Sequence, residues 1–117
     1  MKHTKVQKLK SKVLPKHERV YAREIWGKES GAQNCVVLYN EMDKTGGAEM
    51  HVHADSEHIF YVIEGEMSIT DGSETYIIKA GEAAVVEPEE PHEAKGTGKV
   101  DCRYLLATSP PATFTDR

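Results

Sequence analysis

No apolar run in this chain approaches the length of a membrane-spanning helix. The N-terminus is basic, but no hydrophobic stretch follows it, so no secretory signal is expected and the cytoplasm is the expected location. There are only 2 cysteines, Cys35 and Cys102, far apart and each in an apolar, strand-like stretch. That pattern excludes a disulfide framework and suits buried thiols in a reducing compartment. A dominant charge is also missing, since the net charge is −4 with both signs mixed. Such a balance implies no nucleic-acid partner. No stretch shows convincing helical periodicity.

One segment breaks the even mixture. In residues 1–20, Lys2, Lys5, Lys8, Lys10, Lys12, Lys16 and Arg19 are opposed only by Glu18. The expectation is a basic N-terminal arm, solvated and partly mobile, with an anionic partner as the alternative. The 117 residues suit one compact domain, expected over residues 21–108. Ser109-Pro110-Pro111 opens an expected C-terminal tail over residues 109–117. A chain this short buries a modest fraction of its surface, so a homodimer is expected.

What the chain does contain is a series of short β patterns. Tyr21–Trp26, Cys35–Tyr39, Glu49–His53, His58–Ile63, Glu66–Thr70, Thr75–Ile78, Ala83–Glu87, His92–Lys95 and Asp101–Ala107 read as strands. Gly46-Gly47, Glu64-Gly65, Asp71-Gly72, Lys79-Ala80-Gly81 and Gly96-Thr97-Gly98 read as turns, and Pro88-Glu89-Glu90-Pro91 as a rigid corner. Eight or nine short strands without helices mean an all-β sandwich or barrel. Phe60, Val62, Met67, Ile69, Ile77, Val85 and Leu105 are the expected packing residues.

Four of the 6 histidines fall near the strand ends in the middle and later chain. His51 and His53 are two apart, so in an extended strand they share one face, with Met50 and Val52 on the other. Their Cα atoms then stand roughly 7 Å apart. Imidazoles can converge from that spacing on one ion with bonds of about 2.1 Å. His58 opens the next strand, and its parity places it inside with Phe60 and Val62, leaving Glu57 at the rim. His92 follows the proline corner. His3 and His17 fall in the basic arm and read as surface residues.

The chain resembles a small single-domain cupin over roughly residues 35–107. The first cupin motif runs Gly, five residues, His-x-His, three or four residues, Glu, six residues, Gly. The segment from Gly46 to Gly65 carries His51 and His53 in the two histidine positions, with four rather than five residues between Gly46 and His51. Counting six residues back from Gly65 puts the glutamate ligand position on His58, while three residues after His53 lead to Glu57. The second motif runs Gly, five residues, Pro-x-Gly, two residues, His. Gly81 and His92 have that spacing, but Glu87 stands at the proline position, Pro88 one later, and Glu89 at the inner glycine.

The resemblance implies a double-stranded β-helix, or jelly-roll barrel. It also implies a divalent transition metal (Mn, Fe, Ni, Cu or Zn) held by His51, His53, His58 and His92, as in a four-histidine subset of small cupins. Glu57 is the alternative ligand, or a catalytic acid or base near the ion, or a group that orients a ligand histidine, or a plain surface charge. Tyr39, Tyr61, Tyr76, Tyr104 and Arg103 are candidates to line a pocket. The implied function is a metal-dependent enzyme acting on a small polar or anionic molecule, with oxygen-dependent oxidation or cleavage favoured. An isomerase or lyase with a non-redox metal, a non-catalytic binding or sensor module, and a closed structural metal site are the competing readings.

Overall fold

A computed structural model describes residues 1–111, and the last part of the expected tail, residues 112–117, lies outside the described residues. Among the described residues, eight strands follow one short 3-10 turn: β1 (His17–Trp26), β2 (Val36–His51), β3 (Glu57–Glu64), β4 (Glu66–Thr70), β5 (Thr75–Lys79), β6 (Ala83–Val86), β7 (His92–Gly96) and β8 (Cys102–Ser109). They form a nearly closed all-β barrel with strand order β5-β4-β7-β2-β8-β3-β6, and β1 pairs with β2. No helix among the described residues is long and apolar enough to cross a membrane.

β2 is the strand that joins the two halves. Its first part, Val36–Met42, pairs with β8, while Gly47, Ala48 and His51 pair with β7. Gly46-Gly47 is therefore no turn but the middle of a 16-residue strand. The glycines answer a different need. A Cβ on Gly46 would stand 2.5 Å from the Arg19 carbonyl oxygen, and one on Gly47 would stand 2.7 Å from that of Ala94. Neighbouring backbone passes too close for a side chain.

The core runs along the barrel axis and includes Leu38, Met42, Phe60, Val62, Met67, Ile69, Ile78, Val86, Tyr104 and Leu106. Phe60, Val62, Met67 and Ile69 are buried as the alternation predicts. Ile77, Val85 and Leu105 are not core residues: Ile77 and Val85 are exposed and Leu105 is half-buried, with the next residue buried in each case. Tyr76-Ile77-Ile78, Val85-Val86 and Leu105-Leu106 are consecutive apolar pairs or triples that carry no alternation to read. Register decides instead, setting Ile78 opposite Met67, Val86 opposite His58, and Leu106 opposite Phe60.

The first strand begins at His17, before the expected Tyr21, and pairs with β2 of its own chain. The lysines of residues 1–20 are exposed, as a solvated arm requires. The segment is nevertheless anchored, because Lys12 bridges Ala22 and Leu14 is buried in the core.

Candidate metal centre

Four imidazoles gather at one end of the barrel. His51 ends β2, His53 lies in the loop just after it, His58 is the second residue of β3, and His92 opens β7. The expected alternation holds at the end of β2 and just beyond it: Met50 and Val52 are exposed, while His51 and His53 are each 9% exposed. His58 and His92 are buried more deeply. Register sets His51 directly opposite His92.

One ligand nitrogen from each of His51, His53 and His92 lies within 4.8 Å of the other two. Two nitrogens on opposite sides of one ion, each bonded at about 2.1 Å, would stand about 4.2 Å apart. Adjacent nitrogens on one ion stand about 3.0–3.4 Å apart, so the three rings are near enough to share a divalent transition metal once they draw inward. Their centroids lie 4.7 Å apart for His51 and His53, 4.3 Å for His51 and His92, and 5.3 Å for His53 and His92.

Backbone carbonyls orient two of these rings. His51 Nδ1 bonds the Glu49 carbonyl at 2.5 Å, and His92 Nδ1 bonds the Glu90 carbonyl at 3.3 Å. A carbonyl only accepts, so each Nδ1 donates there, and in the neutral ring Nε2 then carries the lone pair that a metal needs. The proline corner adds a third tie, because the Glu89 N–H donates to the His53 carbonyl at 2.6 Å. Glu89 sits at φ +67°, the left-handed conformation a glycine would take most easily. The altered corner thus keeps the backbone shape that the cupin motif's inner glycine would supply.

His58 stands beside the group of three and is not part of it. Its ring stacks on that of His53, with centroids 3.9 Å apart and planes 16° apart. Glu57 is exposed, sharing its outward face with Ile59 and Tyr61, and its carboxylate is not in the ligand group. Of the expected pocket residues, Tyr104 lines the cavity beside the histidines, whereas Tyr61, Tyr76 and Arg103 are exposed. That cavity is about 10 Å³ and is lined by His17, Ala48, His51, His58, Phe60, His92, Ala94, Tyr104 and Leu106. His17, read from the sequence as a surface residue, was missed because only the β1–β2 pairing carries it to the site.

Known proteins share this architecture. The structure of the polyketide cyclase RemF from Streptomyces resistomycificus superposes with a TM-score of 0.83 at 26% identity, covering 93% of this chain and 79% of that one. A predicted oxalate decarboxylase from Thermotoga maritima superposes with a TM-score of 0.80 at 17% identity, covering 93% of this chain and 99% of that one. An uncharacterised protein of Methanocaldococcus jannaschii, MJ1618, is 31% identical over 67 residues, which are 57% of this chain and 54% of that protein. The chain thus spans about half the length of that curated relative. Residues 39–108 match the cupin domain, and with more than half of its length in that match this chain belongs to the cupin family.

Proposed function

We propose that this protein is a metal-dependent enzyme acting on a small polar or anionic organic molecule, with the ion held by His51, His53, His58 and His92. The observation that carries this reading is the convergence of three imidazole nitrogens within 4.8 Å at the barrel end. His58 enters as the fourth ligand on its inward parity and its place against the His53 ring. The donor set suits Mn, Fe, Ni, Cu or Zn, all of which accept imidazole. When bound, such an ion supplies Lewis-acid polarisation of a carboxylate, enolate or phenolate oxygen.

The chain's own residues supply the rest. Four neutral imidazoles leave the cation's charge uncompensated, which favours an anionic substrate. Phe60, Ala94 and Leu106 keep the inner side of the site apolar. Glu57, exposed at the rim beside His58, is the residue we assign to proton transfer. The favoured reaction is oxygen-dependent oxidation or cleavage, and resemblance to a polyketide cyclase supports work on small organic molecules. We further propose a cytoplasmic homodimer. Two free cysteines suit a reducing compartment, and exposed Ile59, Tyr61, Ile63 and Val85 on the outer face of β3 and β6 suit a second copy.

Elemental analysis of untagged, purified protein, followed by oxygen-uptake assays on small carboxylates and phenols, tests this reading. Stoichiometric Fe, Mn or Cu and oxygen consumption are expected. Stoichiometric Zn alone overturns the oxidative reaction, and protein that takes up no transition metal overturns the centre itself.

A further inference from the structure

We propose that the Tyr76 ring is the outer wall of the guest-binding space at the histidine centre, and that it selects a flat guest with one anionic head and an uncharged far end. The inference rests on the metal-centre reading above and names the class of molecule that the centre takes. It starts from a mismatch between parity and exposure. β5 carries Tyr76 and Ile78 on one face, and Ile78 is buried opposite Met67 in the core. Tyr76 therefore holds an inward position. It is nevertheless 60% exposed, on a strand that stands last in the order of the sheet.

Register connects this ring to the centre. Tyr76 stands opposite Ile69, and Ile69 stands opposite Ala94, which lines the site beside His51, His58 and His92. Two strand spacings separate Tyr76 from Ala94, roughly 10 Å between Cα atoms. A ring-sized molecule held at the ion spans much of that gap. The phenol also leans the right way along its strand. Its hydroxyl donates to Glu74 Oε2 at 2.8 Å, so it points back toward the β4–β5 turn. Thr70, where β4 enters that turn, stands opposite Glu93, the neighbour of His92. The turn therefore lies at the histidine end of the barrel.

The surroundings of the phenol set the selectivity. Asp71 stiffens the turn by accepting from the N–H groups of Ser73 and Glu74 at 2.9 and 2.8 Å. The hydrogen bond and charge of Glu74, then partial desolvation and the charges of Asp71 and Glu90, hold the phenol above its ordinary 10.0. Glu90 belongs to the proline corner, and its carbonyl accepts from His92 Nδ1. Tyr76 thus presents a neutral aromatic face between the turn and the corner. Such a face covers a flat, apolar guest, whereas Asp71, Glu74 and Glu90 oppose a second negative charge at the guest's outer end. Catechol fits that description, and protocatechuate, which adds a carboxylate far from the two hydroxyls, does not.

The test loads wild type, Tyr76→Ala, Tyr76→Phe and Glu74→Gln with Co(II), measures cobalt content, and titrates each with catechol, protocatechuate and azide by visible absorption. Stoichiometric cobalt is expected in all four, since neither residue belongs to the ligand group. Y76A is expected to bind catechol roughly fivefold more weakly, and Y76F, which keeps the ring, to stay within about twofold of wild type. Azide is too small to reach the ring and should bind all four alike. E74Q is expected to gain roughly threefold in affinity for protocatechuate relative to catechol. Unchanged catechol affinity in Y76A overturns the proposal, and so does an equal loss for azide, which would mean a disturbed ion site. An equal loss in Y76F overturns the ring as the wall. Wild type that binds azide but no catechol overturns the guest class, and no relative gain in E74Q overturns the charge selectivity. If Y76A lacks a folded thermal transition, Tyr76→Leu is judged by the same criteria. Wild type that holds no cobalt overturns the metal-centre reading itself, a failure distinct from the others.

Discussion

Replacing Glu89 with glycine is expected to stabilise the protein, although it removes a side chain. Glu89 stands at φ +67° in a turn closed by the Glu90 N–H on the Glu87 carbonyl at 3.1 Å. A residue with a Cβ held there costs roughly 1–2 kcal/mol. Glycine removes that cost but has more freedom to lose on folding, roughly 0.5–1 kcal/mol. The net gain for Glu89→Gly is therefore about 0.5–1 kcal/mol, which raises Tm by about 3–6 °C in a domain of this size. Glu89→Ala keeps a Cβ and is expected to show no such gain. Thermal or urea unfolding of the three proteins, stripped with chelator, makes the comparison. The Glu89 N–H bond to His53 is unaffected by the side chain, so E89G should retain its metal stoichiometry. An E89G no more stable than wild type would refute the reasoning. Equal stabilisation in E89A would refute it too, because relief of repulsion among Glu87, Glu89 and Glu90 would then be the cause.

Other outcomes follow from the same geometry. His51→Ala, His53→Ala and His92→Ala are each expected to lose stoichiometric metal by elemental analysis, and full occupancy in all three would sink the ligand assignment. His58→Ala is expected to lose more metal affinity than Glu57→Ala, with Glu57→Gln lowering turnover while leaving metal content intact. Greater metal loss in E57A would make Glu57 the ligand. Burial, with Glu66 nearby, pushes the Cys102 thiol from its ordinary 9.0 up to about 12. The folded state thus keeps the proton longer than the unfolded chain, so this group's stabilisation is complete below pH 9 and declines as pH rises toward 12. A Cys102→Ala variant with the same fall in stability over that range would refute the assignment. Gly46→Ala is expected to destabilise by several kcal/mol, roughly the strain of forcing a Cβ against backbone in a closed barrel. A urea midpoint within error of wild type would show that the strand can shift to make room.

The sequence alone determined the strand-rich class and the inward set of histidines. Period-two alternation is local, so His51 and His53 against Met50 and Val52, and His58 with Phe60 and Val62, declare their faces without knowledge of the partner strands. Where alternation fails, as in Val85-Val86 and Leu105-Leu106, the chain carries no mark of which residue turns inward, and the paired strand decides. Gly46-Gly47 looks like a turn because glycine serves turns and close approaches alike, and only the packed backbones of Arg19 and Ala94 tell them apart. The strain at Glu89, the stacking of His58 on His53, and the arrival of His17 beside His51 arise from contacts between residues far apart in the chain. Such contacts depend on register and closure, which tertiary structure sets and local sequence does not encode.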